Sequence, residues 1–261
     1  MAAGPEVTGN RREAVTLRWP TLMLVATVAL AGCAARVRPP APLEPAIVER
    51  IAQYGPAARA RLVPFFAAAG IAYPPTRFVL LGFKHERELH LLASRPDGGL
   101  AFVRSYPILG ASGTLGPKLR QGDRQVPEGV YAIVYVNPNS VAHLSLALSY
   151  PNDYDLARAA EDGRDALGGD IMIHGGTTSH GCLAIGDEAA EELFVLAVDA
   201  GWDDAVVVLS PVDLRKHVPP LDIREQPAWV SDLYGRLRAE LDGMPVAPAI
   251  DADRQTVVDP P

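Results

Sequence analysis

The stretch Ile171-Met172-Ile173-His174-Gly175-Gly176-Thr177-Thr178-Ser179-His180-Gly181-Cys182-Leu183 places two histidines, three glycines and one cysteine within nine residues, His174 to Cys182. The apolar run Asp170 to Ile173 predicts a strand that delivers His174. A glycine-rich turn follows, and the return to Cys182 sets an imidazole beside a thiol. Glycines admit positive φ and let a substrate approach the main chain. A free thiol titrates near 8.5 and is only a few per cent thiolate around pH 7, a deficit of about 2 kcal/mol at 1.36 kcal/mol per unit. It therefore needs a neighbouring base or cation, and His174 and His180 are both candidates. Consecutive amides around His180, Gly181 and Cys182 could hold an oxyanion, which contributes roughly 3–4 kcal/mol per donor in a protease. Read this way, the stretch carries acyl transfer through a thioester. Two other readings compete: Cys182 as a small buried hydrophobe, and His174, His180 and Cys182 as three zinc ligands with no carboxylate or further histidine close by in sequence.

Moving outward, Phe78–Leu81, Glu88–Leu92, Ala101–Val103, Val130–Val136 and Ala142–Ser149 read as strands. The turn residues Pro96-Asp97-Gly98-Gly99 make a hairpin of the second and third. The last strand alternates, with Leu144, Leu146 and Leu148 on one face and His143, Ser145 and Ala147 on the other. Asp187–Ala200 predicts a helix capped by Asp187 and stopped by Gly201. Ala205–Leu209 is a short buried strand and Trp229–Leu241 a closing amphipathic helix. Before all of these, Pro45 to about Ala69 suits a short helical pair broken near Tyr54-Gly55-Pro56. The expected fold is mainly β and antiparallel, with peripheral helices.

At the histidine–cysteine stretch the sequence resembles the catalytic domain of the YkuD-like L,D-transpeptidases, whose signature is histidine-glycine followed by Ser-His-Gly-Cys. It is most similar to the YafK-like branch through Ser112–Lys118, Gly122–Tyr131, Pro138-Asn139-Ser140 and Ser149–Asp155. The likeness runs from about Phe78 to Leu209 and weakly around Trp229. It implies the YkuD-like β-rich fold and a substrate containing diaminopimelate in peptidoglycan peptide stems. It also implies Cys182 as nucleophile, His174 as its base, Gly175 as the carbonyl that orients the His174 ring, and Ser179, His180 and Gly181 around the oxyanion pocket. Many transpeptidases place an arginine two residues after the cysteine; here Leu183-Ala184 follows, which bears on substrate docking. An amine resolving the thioester makes a transpeptidase, with another stem or a wall-linked lipoprotein as acceptor. Water makes an amidase that cleaves cross-links or releases a wall-bound protein. The rival from another class is a non-catalytic wall-binding lipoprotein. Lys118, Arg124, His143 and Ser145 are candidate substrate-binding residues, weighed against solvated charges and a structural histidine. His85, His90 and His217 read as surface residues.

The N-terminus reads as an export signal: Arg11, Arg12 and Arg18, an apolar run from Leu22 to Leu30 too short to span a bilayer, then small residues. Leu30-Ala31-Gly32-Cys33 resembles a bacterial lipobox, with Cys33 lipidated and Ala34 implying outer-membrane sorting; an ordinary cleaved signal is the alternative. The domain plan is thus 1–33 signal, 34–45 Pro-rich tether, 46–75 helical segment, 76–212 catalytic domain, and 213–261 helical extension and tail. The expected location is extracytoplasmic, periplasmic, with a lipid anchor at Cys33. With Cys33 lipidated, Cys182 has no disulfide partner in an oxidising compartment. The chain has 261 residues, 48% of them hydrophobic and 21% charged, enough for one domain with a core. Its net charge of −7 argues against nucleic acid as a partner. No nucleotide, flavin or phosphate-loop motif is present, and neither cofactor nor metal is expected.

Overall fold

A computed structural model describes residues 43–248. The signal, lipobox Cys33, most of the tether and the tail beyond 248 lie outside the described residues. One nine-stranded sheet organises the rest. Its strands are β1 (Phe78–Phe83), β2 (Glu88–Ser94), β3 (Leu100–Pro107), β4 (Gly110–Ala111), β5 (Gly129–Asn137), β6 (Ser145–Leu148), β7 (Met172–His174), β8 (Leu183–Ala184) and β9 (Val206–Ser210). They lie in the order β3-β2-β1-β9-β5-β6-β7-β8-β4. Two pairings are parallel, β1 with β9 and β7 with β8, and the others antiparallel.

β1 is buried at all six residues, because helices cover both faces of the sheet there. Phe78 and Leu80 join Leu91, Val207, Leu193 and Phe66 in one cluster, while Val79 and Leu81 join Val208, Leu233 and Leu237 in another. A strand buried on both faces shows an unbroken apolar run rather than alternation. The first cluster is roofed by α1 (Pro45–Ala68) and α3 (Asp187–Ala200), the second by α4 (Val230–Asp242).

Several boundaries depart from the sequence reading. α1 is one continuous helix with Pro56 and Pro64 inside it, not a broken pair. An interior proline costs about 3 kcal/mol, whereas burying each of Ile47, Leu62 and Phe66 gains about 1.5–3 kcal/mol. Arg59 also pairs with Asp199 at 2.6 Å, and Arg61 with Glu191 and Glu192 at 2.9 and 2.8 Å, all on α3. β6 begins only at Ser145, since His143 sits at φ 73° in a turn. β7 begins at Met172 because Asp170, at φ 56°, cannot extend a strand. Asp187 is the first helical residue of α3 and Gly186 its cap. A further helix, α2 (Asp153–Glu161), is opened by a reciprocal capping box between Asn152 and Asp155. His90 is buried, not on the surface: β2 lies between β1 and β3, and its ring meets Phe83 and Phe102 edge-on and Glu88 at 2.7 Å.

Candidate active site

β7 ends at His174 and β8 starts one residue after Cys182, and the two strands pair in parallel with Ile173 opposite Leu183 and His174 opposite Ala184. Ile173 and Leu183 point into the core. By strand alternation His174 and Cys182 share the opposite face, two residues out of register, which puts their Cα atoms about 8 Å apart from a 3.3 Å rise and 4.8 Å strand spacing. The His174 ring is buried, and its Nδ1 lies 2.6 Å from the Gly175 carbonyl oxygen. A carbonyl only accepts, so Nδ1 carries the proton and Nε2 is the ring's basic atom.

Cys182 is half-buried and has no disulfide partner among the described residues. Burial pushes its thiol above the ordinary cysteine value; the Met172 amide draws it down, Asp170 raises it further and Lys118 opposes. The sulfur lies 3.5 Å from the Asp170 carbonyl oxygen, the geometry of a protonated thiol resting as donor. Desolvation alone therefore leaves Cys182 a poor nucleophile, and activation falls to a neighbouring base.

The loop between the strands is tied down by two serines. Ser179 donates to the Cys182 carbonyl at 2.7 Å and accepts from the Ser112 amide at 3.1 Å. Ser112 donates to the Arg124 carbonyl at 2.7 Å and accepts from the Gly181 amide at 2.7 Å. The Gly181 N–H is thus already engaged, and of the three amides considered from sequence those of His180 and Cys182 are left as oxyanion donors. Gly181 has φ 112°, a conformation that restricts this position to glycine.

The other candidates divide. Ser145 pairs with His174 across β6 and β7 and is buried, donating to the Met172 sulfur at 3.2 Å. Arg124 is exposed beside Gly181, its side chain without an ion-pair or hydrogen-bond partner among the described residues. His180 is exposed. Lys118 is buried, held by Asp123 at 2.5 Å and the Arg120 carbonyl at 2.9 Å, and so is not presented to solvent as a binding cation. His143 abuts Gly175 through its Cβ, but its ring turns away to Glu191 at 3.1 Å and edge-on to Tyr54. Among the described residues no group of three His, Cys, Asp or Glu side chains is placed to hold a metal ion. Sequence reading missed Ser112 and Asp170 as parts of the site. Ser112 was visible as the start of a family-like block, whereas the positive φ of Asp170 leaves no mark in sequence.

A histidine that ends one strand and a cysteine just before its parallel neighbour, joined by a glycine-rich loop in a mixed sheet, form the frame of a candidate cysteine-based site. Residues 90–209, just under half of the chain, match the family model described as YkuD, the L,D-transpeptidase catalytic domain. Two Escherichia coli proteins, from strain K12 and from O157:H7, both named "Putative L,D-transpeptidase YafK", are 36% identical over 120 residues, 45% of this chain and 46% of theirs. The chain therefore spans just under half the length of these curated relatives. A solved structure, "Structure of Bdellovibrio bacteriovorus Bd1075", aligns at 17% identity and a TM-score of 0.36, covering 64% of this chain and 54% of that one.

Proposed function

We propose that this protein is an exported, lipid-anchored cysteine enzyme that acts on peptidoglycan stem peptides through a Cys182 thioester. The observation that carries the reading is the His174 ring, fixed by the Gly175 carbonyl with its basic Nε2 unpartnered among the described residues, on the strand that pairs in parallel with the one following Cys182. In this reading the S–H proton passes to Nε2, and the sulfur attacks a stem-peptide carbonyl. The His180 and Cys182 amides steady the oxyanion. The imidazolium then returns its proton to the departing amine, leaving the acyl group on sulfur. An acceptor amine completes transpeptidation. Hydrolysis is the second reading, favoured by Leu183-Ala184 standing where many transpeptidases place arginine; Arg124, exposed and with its side chain unpartnered among the described residues, is the cation left to dock a stem carboxylate. The anchor belongs to Cys33 and the location to the periplasm.

Intact-mass measurement of the protein incubated with purified muropeptides, beside Cys182→Ala, tests this. An adduct on the wild type alone is expected, with joined stems marking a transferase and shortened stems a hydrolase. Muropeptide binding by both proteins with neither adduct nor product would replace the reading with a non-catalytic wall-binding lipoprotein.

A further inference from the structure

The Gly175 carbonyl and the Gly176 N–H belong to one peptide unit. The carbonyl accepts from His174 Nδ1 at 2.6 Å, and the N–H donates to Asp187 Oδ1 at 2.7 Å. A carboxylate, a peptide group and an imidazole thus stand in series, with Asp187 contributed by the first residue of α3. The unit is held on all sides: Gly175 N donates to the Leu144 carbonyl at 3.2 Å, Ile185 N to the His174 carbonyl at 2.9 Å and Gly186 N to the Gly176 carbonyl at 3.0 Å. A Cβ on Gly175 would stand 2.6 Å from Asp187 Oδ1 and 2.9 Å from the Ala142 carbonyl oxygen, so only glycine lets the carboxylate come this close.

We infer that Asp187 is a positioning residue for His174, acting through the Gly175–Gly176 peptide. A hydrogen bond from an amide N–H to a carboxylate polarises that amide and makes its carbonyl oxygen a stronger acceptor, the cooperativity of hydrogen bonds in series. The Gly175 oxygen then favours positive charge on the ring to which it is bound. When the Cys182 proton moves to Nε2, Nδ1 keeps its own proton, and the resulting thiolate–imidazolium pair is the state the relay stabilises. In serine proteases a carboxylate meets the imidazole directly; here a peptide group is interposed, and the carboxylate stays exposed while the ring stays buried. The other charged groups around this chain of bonds are Lys118 and Asp170 acting on the thiol, Arg124 and His180 at the loop surface, the His143–Glu191 pair beside Gly175, and Arg104, Glu188 and Glu192 in the depression that Asp187 lines.

The inference rests on His174 and Cys182 being base and nucleophile, but its test needs no peptidoglycan. The rate of iodoacetamide alkylation of Cys182 is measured against pH in the full chain for wild type, Asp187→Asn and His174→Ala. Asparagine keeps an oxygen for the Gly176 N–H and removes only the charge. Alkylation follows the thiolate fraction, so Asp187→Asn is expected to move the midpoint up by about half a unit and to slow alkylation at pH 7 about threefold, with unchanged melting. An Asp187→Asn profile lying on that of wild type, while His174→Ala shifts it, overturns the relay and leaves the base assignment standing. A His174→Ala profile lying on that of wild type overturns both. If Asp187→Asn does not fold, the Gly176 amide proton shift of the wild type supplies the answer: movement with the midpoint of Cys182 alkylation supports the relay, and a flat shift refutes it.

Discussion

Glu128→Gln probes the most deeply buried ion pair near the site. Lys84 Nζ and Glu128 Oε1 are 2.9 Å apart, with side chains 4% and 0% exposed. Glu128 also accepts from the Gly116 amide and the Tyr234 hydroxyl, both at 2.8 Å, while Lys84 donates to the Gly116 and Val126 carbonyls at 2.8 and 2.9 Å. Removing one member of a buried pair costs about 3–5 kcal/mol, because the other charge remains buried and uncompensated. The two carbonyls still serve Lys84, and glutamine keeps one acceptor oxygen, which places the variant near the lower end, about 3 kcal/mol. For about 200 ordered residues that corresponds to a fall in Tm of roughly 6–12 °C. Burial already lowers Lys84 from its ordinary value, against the pull of Glu128 and Asp123. Between that lowered value and about 10.5 the unfolded chain binds more protons than the folded one, so in this window stability rises with pH. Losing Glu128 widens the window, and the deficit of the variant should shrink as pH rises towards 10. Urea titrations of wild type, Glu128→Gln, Lys84→Met and the double variant give the coupling, expected above about 1 kcal/mol. A coupling near zero, or a Glu128→Gln melt within about 2 °C of wild type, would refute the argument.

Three further outcomes follow from neighbouring geometry. Burial raises Asp155 to about 6, so folding binds a proton between about pH 4 and 6 and stability falls as pH rises through that range, by up to about 3 kcal/mol at 1.36 kcal/mol per unit. Asp155→Asn should therefore gain on wild type at pH 7.5 relative to pH 4 in paired thermal melts, and parallel curves would contradict this. Gly175→Ala brings a Cβ to 2.9 Å from both the Ala142 carbonyl oxygen and the His143 Cβ, so it should lose about 1–3 kcal/mol and most of its acylation rate, read by denaturation and by adduct formation. Ser112→Ala strips the Gly181 N–H of its 2.7 Å acceptor and should slow acylation about tenfold or more while the melt falls by only about 1–3 kcal/mol in equivalent stability; a variant with wild-type acylation would show that the loop needs no such tie.

How far these features could be read in advance depends on how local their causes are. The apolar run of β1 and the 3.6-residue pattern of α3 are fixed by burial, and burial is written in residue type. Pro56 misled because its cost is local while the helix it interrupts is held by α3, more than a hundred residues away. The alternation from Ala142 to Ser149 suggested one strand, yet only Ser145–Leu148 pairs, since His143 adopts a turn that residue type does not dictate. Within the site, His174, Cys182 and the glycines between them were legible as a motif. The tie through Ser112 and the carboxylate of Asp187 were not, because each depends on elements brought together only by the folded sheet.

The thinness of the sheet around Cys182 sets how the protein breathes. β7, β8 and the edge strand β4 have three, two and two residues, whereas β1, β2 and β9 have six, seven and five and lie between covered faces. Opening the short ladders exposes few apolar side chains and breaks few backbone hydrogen bonds, so it costs far less than global unfolding. Among the strands, amide exchange should therefore be faster in β7, β8 and β4 than in β1 and β9. A rigid half of the sheet would carry stability, leaving the half beside the thiol the cheaper one to open.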